Sequence, residues 1–146
     1  MKSGIPWEKT AELHGNVYVE RCKKCGTEYE RHFRTWNKED PKIHSTGRFC
    51  EKCPEEELID TLVHFEEGLP KPKFDLSIKH ALDTQLCICL GSSLSVKPAL
   101  HIPLIAKQEG AKLVIVNLQP TPLDKLADVR VYQRTDLFMH LLMRQL

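Results

Sequence analysis

This sequence predicts an α/β fold built on a parallel sheet, with a small polar subdomain carrying four paired cysteines ahead of it. Three observations predict it. Residues 58–146 alternate short aliphatic runs with helical signals, and strand–helix–strand units imply a parallel sheet. Residues 16–57 are polar and hold little that could form a core, yet they contain Cys22, Cys25, Cys50 and Cys53. Finally, 146 residues make one ordinary domain or two very small ones, and 41% hydrophobic with 28% charged residues is the balance of a globular chain able to bury a core.

The elements follow from local chemistry. Residues 1–15 are a lead-in ending in Glu12-Leu13-His14-Gly15. Val17-Tyr18-Val19 and Tyr29–Phe33 read as short strands flanking the first cysteine pair, and Leu58–Phe65 as another. Asp75 or Ser77 caps a helix running to about Asp83. Leu86–Leu90 is a continuous apolar run, as in a buried parallel strand, and Gly91-Ser92-Ser93 turns away from it. The next helix spans Pro98–Glu109, with Pro98 in its first turn and Gly110 just past its end; Pro103 kinks it or delays its start. Lys112–Val116 is a second buried strand, Asn117–Asp124 a loop and Val129–Tyr132 a third strand. Thr135 or Asp136 caps a final amphipathic helix with Leu137, Phe138, Leu141 and Leu142 inward.

Charge excludes several classes of function. The net charge is +1, from 21 basic and 20 acidic residues, which argues against a general nucleic-acid binder or a polybasic membrane anchor. Aromatic content of 7% argues against a base-stacking surface. No apolar run is long enough to cross a bilayer, and the start MKSGIPWEKT has no apolar core of a secretory signal, so an intracellular protein is expected. In that setting metal binding is a stronger reading of paired cysteines than disulfides or unmodified thiols.

The pattern is Cys-x2-Cys, 24 residues, Cys-x2-Cys. Two residues between thiolates let one β-turn aim both at one ion, and two such knuckles complete a tetrahedral Zn²⁺ shell. Lys23, Lys24 and Lys52 offset the net −2 of four thiolates and the ion. A closed shell has no position for water, so one structural zinc per chain is expected, and its binding drives folding of the segment. Cys87 and Cys89, two apart on a strand, face one side as small core hydrophobes.

Ligands of open α/β sheets bind beyond the carboxyl ends of strands. Gly91, Ser92, Ser93 and Asn117, Leu118, Gln119 occupy two such ends, where hydroxyls and amides suit a ribose as well as they suit ordinary turns. Of the seven histidines, His32, His44, His64, His80, His101 and His140 show no partner motif and receive no role. His14 stands apart only by its loop position before Gly15 and Asn16.

In combination and order, the motifs resemble those of sirtuins, NAD-dependent protein-lysine deacylases, over roughly residues 3–146. Ser3-Gly4-Ile5-Pro6 through Glu12-Leu13-His14-Gly15-Asn16 resembles the segment with the catalytic histidine, and the cysteine pairs resemble the family's zinc ribbon. Val63–Pro70 resembles the Phe-Gly-Glu-x-Leu-Pro loop beside the acyl-lysine channel, with Glu66 where many members have Gly. Gly91–Ala99 resembles the Gly-Ser-Ser-Leu segment, and Ile115-Val116-Asn117 the strand end that holds the adenosine ribose. Thr46-Gly47-Arg48, Asn117–Pro122 and Ala127–Arg130 are most similar to the class IV, largely nuclear and chromatin-associated branch.

The resemblance implies the carboxyl half of a Rossmann-like parallel-sheet domain with an inserted four-cysteine zinc ribbon: a partial catalytic domain over 1–146, with the ribbon at 16–57 and the Rossmann-like half at 58–146. It implies His14 as general base; Gly91, Ser92, Ser93, Asn117, Leu118, Gln119 and Thr135 as NAD⁺ contacts; and Phe65, Glu66, Glu67, Ser95 and Val96 as contacts to an acyl-lysine protein or peptide, histones among the candidates. The implied reaction has the acyl oxygen attack ribose C1′ as nicotinamide leaves, while His14 takes a proton from the ribose hydroxyl, giving lysine and O-acyl-ADP-ribose. Nuclear localisation, no membrane association and no direct sequence-specific nucleic-acid binding are the matching expectations. The sequence holds no Gly-Ala-Gly-Ile-Ser phosphate turn, no Asp-Phe-Arg cofactor loop and no Gln-Asn-x-Asp motif. The alternative is therefore a truncated, catalytically inactive fragment acting as a zinc-ribbon binding module.

Overall fold

Residues 4–40 and 42–146 are described by a computed structural model, so Ser3 of the first motif lies outside the described residues. The chain divides into two units, Met1–Phe74 and Asp75–Leu146.

The first unit is an antiparallel sheet of β1 (Val19–Cys22), β2 (Glu28–Glu30), β3 (Ser45–Phe49) and β4 (Glu57–Asp60), in the order β2-β1-β4-β3. Each cysteine pair forms the turn of a hairpin. Gly26 donates its N–H to the Cys22 carbonyl at 3.0 Å between β1 and β2, and Cys50 donates to Glu56 at 2.9 Å between β3 and β4. The expected strand over 58–65 is shorter, and it pairs with β1 and β3 rather than entering the parallel sheet. The apolar core is small: Cys22, Cys50 and Leu58, with Tyr29 and Cys53 against them. An ionic cluster supplements it. Glu20 is fully buried and accepts from Arg31 Nε at 2.7 Å and Arg48 Nη2 at 2.6 Å. Burial alone would raise the pKa of Glu20; the Arg48 and Arg31 guanidiniums reverse this and hold it below the usual carboxylate value.

The lead-in is fastened to the end of β4. Asn16 N–H donates to Thr61 Oγ1 at 3.0 Å, Thr61 Oγ1 donates to the Asn16 carbonyl at 3.1 Å, and Val63 N–H donates to the His14 carbonyl at 3.2 Å. Gly15 makes this approach feasible: its φ is +75°, and a Cβ there would overlap the Thr61 carbonyl backbone. Gly15→Ala combines that overlap with an unfavourable φ, so it is expected to destabilise the unit by about 2–4 kcal/mol. Urea unfolding of the zinc-loaded chain checks this, and a wild-type midpoint would refute it.

The second unit holds a parallel sheet of β5 (Leu86–Leu90), β6 (Lys112–Val116) and β7 (Val129–Val131), in that order. Helix α1 (Lys71–Asp83) starts before the expected cap at Asp75, because Pro72 suits a first turn whose N–H groups have no partner within the helix. Helix α2 (His101–Gln108) starts late, placing buried Pro103 in its first turn and avoiding a kink. Helix α3 (Thr135–Met143) begins earlier than a Thr135 or Asp136 cap would place it, with Arg134 at the cap position and no side-chain capping hydrogen bond, and Leu137 and Leu141, expected inward, are exposed. Two clusters form the core: Leu94, Leu113, Ile115 and Leu123 with Cys87 and Cys89 against them, and Ala81, Ala106 and Ala111 with Cys87, Ile102 and Ile105. Cys87 and Cys89 are thus core-facing, as their spacing implies. β5 is covered on that face only: Leu86, Ile88 and Leu90 are 51%, 38% and 40% exposed, which corrects the expectation of a fully buried strand.

Candidate functional site

The metal centre belongs to the first unit. The Sγ atoms of Cys22, Cys25, Cys50 and Cys53 all lie within 4.8 Å of one another, and Cys25 and Cys50 are 3.7 Å apart. Tetrahedral zinc with Zn–S bonds near 2.3 Å requires sulfur–sulfur edges of about 3.8 Å. The thiol chemistry fits too. The Thr27 hydroxyl and N–H lower Cys25 to about 6, whereas burial and the neighbouring thiols push Cys53 up to about 12. The four sulfurs cannot all ionise at neutral pH without a shared cation, and a divalent ion supplies one. Tyr29, which sequence reasoning left without a role, places its hydroxyl 3.3 Å from Cys50 Sγ and accepts the Glu51 N–H at 3.2 Å, orienting the second knuckle.

His14 is exposed, and its imidazole makes no hydrogen bond among the described residues. Its backbone is fixed instead: Gly15 N–H donates to the Glu12 carbonyl at 3.2 Å, and Asn16 Nδ2 donates to Glu12 Oε1 at 2.9 Å. A ring free at both nitrogens on an anchored backbone is chemically suited to proton transfer. In the same unit, Phe65 is 90% exposed, and Glu66 has φ +76°, a left-handed conformation favoured by the glycine that many sirtuins carry there. Glu67 closes this turn, its Oε2 accepting the His64 N–H at 2.8 Å.

In the second unit, the expected nucleotide contacts gather at the carboxyl ends of β5 and β6. Gly91 N–H donates to the Val116 carbonyl at 2.9 Å, and a Cβ on Gly91 would lie 3.4 Å from Thr135 Cγ2, so Gly91, Asn117 and Thr135 adjoin. Ser92 and Ser93 are exposed; Ser92 Oγ accepts the Leu94 N–H at 3.3 Å and Ser93 Oγ lies 2.8 Å from Ser95 Oγ. Leu94 is buried with φ +50°, a strained conformation at the turn. Val96 is exposed.

Sequence reasoning missed what shapes the Asn117–Gln119 loop. Arg130 donates Nη1 to the Asn117 carbonyl at 3.0 Å, Nη2 to the Gln119 carbonyl at 2.6 Å and Nε to Asp124 Oδ1 at 2.8 Å. Only a guanidinium fork reaches so many acceptors at once. Burial opposes ionisation of Asp124, but Thr121 and Arg130 outweigh it and keep its pKa below the ordinary value. The signal for it in the sequence is Arg130 itself, at the end of the Ala127–Arg130 motif.

The Sir2 family model matches residues 1–98. The chain belongs to the Sir2 family. This sirtuin chain is 43% identical to the NAD-dependent protein deacetylase SRT1 of Arabidopsis thaliana, over 93% of its own length and 28% of that protein. It is 38% identical to human NAD-dependent protein deacetylase sirtuin-7, over 100% of its own length and 38% of that protein. It thus spans about a third of the curated relatives it matches. Among solved structures, a Sir2 homolog–NAD complex aligns with TM-score 0.73 and 30% identity, covering 92% of this chain and 50% of that one. Sir2 bound to an acetylated peptide aligns with TM-score 0.70 and 32% identity, covering 92% and 55%. These similarities support a Rossmann-like parallel sheet in this sirtuin, and its own four-cysteine cluster is consistent with a structural zinc site. No helix among the described residues is long and apolar enough to cross a membrane.

Proposed function

We propose that this chain supplies the zinc ribbon, the general base and the ribose-side contacts of an NAD-dependent protein-lysine deacylase. The ribbon is assigned to 16–57 and the Rossmann-like half to 58–146 of a partial catalytic domain, with β4 (Glu57–Asp60) running past that boundary while pairing with β1 and β3 of the ribbon. The observation that carries the reading is the convergence of Gly91, Asn117 and Thr135 at the strand ends of a Sir2-family sheet. In this role Gly91, Ser92, Ser93, Asn117, Leu118, Gln119 and Thr135 contact the ribose and adenine of NAD⁺, and Phe65, Glu66, Glu67, Ser95 and Val96 contact the acyl-lysine peptide. His14, whose ring makes no hydrogen bond among the described residues, accepts the proton from the ribose hydroxyl as nicotinamide leaves. NAD⁺ supplies the electrophilic ribose carbon. The nuclear placement and histone-type substrates rest on the class IV resemblance of Thr46-Gly47-Arg48 and Asn117–Pro122.

Pyrophosphate is bound by close-approaching glycines at a helix N-terminus, and the 146 residues hold no such glycine-rich turn. For this polypeptide alone, the second reading of an inactive zinc-ribbon module is therefore favoured. Titration of the zinc-loaded chain with ADP-ribose is expected to shift the amides of Gly91–Ser93, Asn117–Gln119 and Thr135 at millimolar ligand, while calorimetry with NAD⁺ finds weak binding at best. Low-micromolar affinity would contradict the absence of a pyrophosphate site. Shifts confined to other residues would contradict the nucleotide assignment.

A further inference from the structure

His44 precedes β3 and bridges two carboxylates. Its Nδ1 lies 3.1 Å from Asp60 Oδ1, and its Nε2 lies 2.8 Å from Glu67 Oε1. A neutral imidazole has one N–H and would set a lone pair against one of these oxygens; the imidazolium donates to both. Asp60 closes β4 with its side chain excluded from water. Its Oδ1 also accepts the Leu62 N–H at 2.9 Å, and its Oδ2 is buried without a hydrogen-bond partner among the described residues. A buried carboxylate of this kind calls for a nearby cation. On the neighbouring strand Glu20 stands opposite Asp60, and the guanidiniums of Arg31 and Arg48 are committed to Glu20. His44 is therefore the counter-charge of Asp60.

The other end of the bridge holds the exposed turn. Glu67 uses Oε1 for His44 and Oε2 for the His64 N–H, and Glu67 N–H donates to the His64 carbonyl at 3.2 Å. Phe65 and left-handed Glu66 form the middle of this turn. The His64 ring also faces His44, 5.3 Å away between centroids, with its Nε2 buried and without a hydrogen-bond partner among the described residues. Asp40 and Lys42, in the lead-in to His44, are exposed.

We propose that His44 is a positioning residue: as an imidazolium anchored on buried Asp60, it clasps Glu67 and fixes the His64–Glu67 turn, and its deprotonation releases the turn and weakens acyl-lysine peptide binding. The link to peptide rests on the substrate role given above to Phe65–Glu67; the clasp itself does not. Donation to the Glu67 and then the Asp60 carboxylate raises the pKa of His44 above its ordinary 6.5, and acceptance from His44 and the His64 N–H lowers that of Glu67. The His44 contribution is complete below its unfolded pKa and is lost as pH rises through its raised folded value. The Glu67 contribution is complete above its unfolded pKa and is lost as pH falls through its lowered folded value. The clasp therefore holds in a window closed on the alkaline side by His44.

NMR titration of the zinc-loaded chain tests the clasp. The His44 ring is expected to titrate above 6.5, with the amides of His64, Phe65 and Glu66 following the same midpoint. Glu67→Gln, at a partly exposed position, should retain zinc, lower the His44 midpoint and uncouple those amides. A His44 midpoint at or below 6.5, or turn amides indifferent to it, overturns the proposal. In the intact deacylase, KM for an acetyl-lysine peptide is expected to rise at least three-fold across the His44 titration, with KM already high and flat in Glu67→Gln. A coupled NMR transition with a pH-independent KM leaves the clasp standing and overturns the assignment of Phe65–Glu67 to substrate.

Discussion

Cys25→Ser is expected to abolish stoichiometric zinc and unfold the first unit. Among the described residues the buried apolar side chains of that unit are Val19, Cys22, Cys50 and Leu58. Burying one leucine contributes roughly 1.5–3 kcal/mol, while ordering each residue costs about 1–2 kcal/mol of backbone entropy. Four strands of three to five residues cannot be held by such a core. The buried Glu20 ion cluster does not close the gap, because desolvation offsets most of its Coulomb energy. Zinc in a four-thiolate shell contributes roughly 10–16 kcal/mol at neutral pH, enough to decide whether the sheet exists. Serine preserves size but supplies no thiolate. Metal analysis of reduced, freshly purified wild type should give one zinc per chain and the variant far less. The amides of Val19–Asp60 in the variant should collapse to random-coil shifts. Wild type without zinc, or a variant with full zinc and a wild-type melt, would sink the structural-metal assignment.

What the sequence made legible was local. Each cysteine pair is three positions apart, within one turn, so the ligand set was readable without the fold. Leu86–Leu90 and Lys112–Val116 were readable because parallel strands carry unbroken aliphatic runs, although the run does not reveal that one face of β5 is left open. Strand β3 was not readable: Ser45-Thr46-Gly47-Arg48-Phe49 has neither alternation nor an aliphatic run, and pairing with β4 makes it a strand. Burial of Glu20 was equally hidden, since its partners lie 11 and 28 residues ahead. His44 showed no motif because Asp60 and Glu67 are 16 and 23 residues away, joined to it by strand pairing and a turn. Of the candidate site residues, those on turns after strands were legible, and the long-range groups that hold those turns were not.

His14→Tyr is expected to reduce turnover of the intact deacylase by roughly 10²–10⁴-fold, the usual worth of a general base, with zinc content and melting temperature retained. A structural role would have the imidazole hydrogen-bond the backbone of the lead-in. The anchoring instead uses the His14 carbonyl, Asn16 and Thr61, and the ring contributes no hydrogen bond among the described residues. Replacing the ring should therefore leave these fastenings in place. Tyrosine cannot accept the ribose proton near neutral pH, because its own pKa is about 10. The structural alternative predicts the reverse: a lower melting temperature with nearly normal turnover per folded molecule. In the 146-residue chain alone the substitution should change nothing in a deacylase assay, because the sequence contains no glycine-rich turn to hold pyrophosphate. Release of nicotinamide from NAD⁺ by this chain alone in the presence of acetyl-lysine peptide, abolished by His14→Tyr, would show that a pyrophosphate turn is dispensable and that these residues suffice for catalysis.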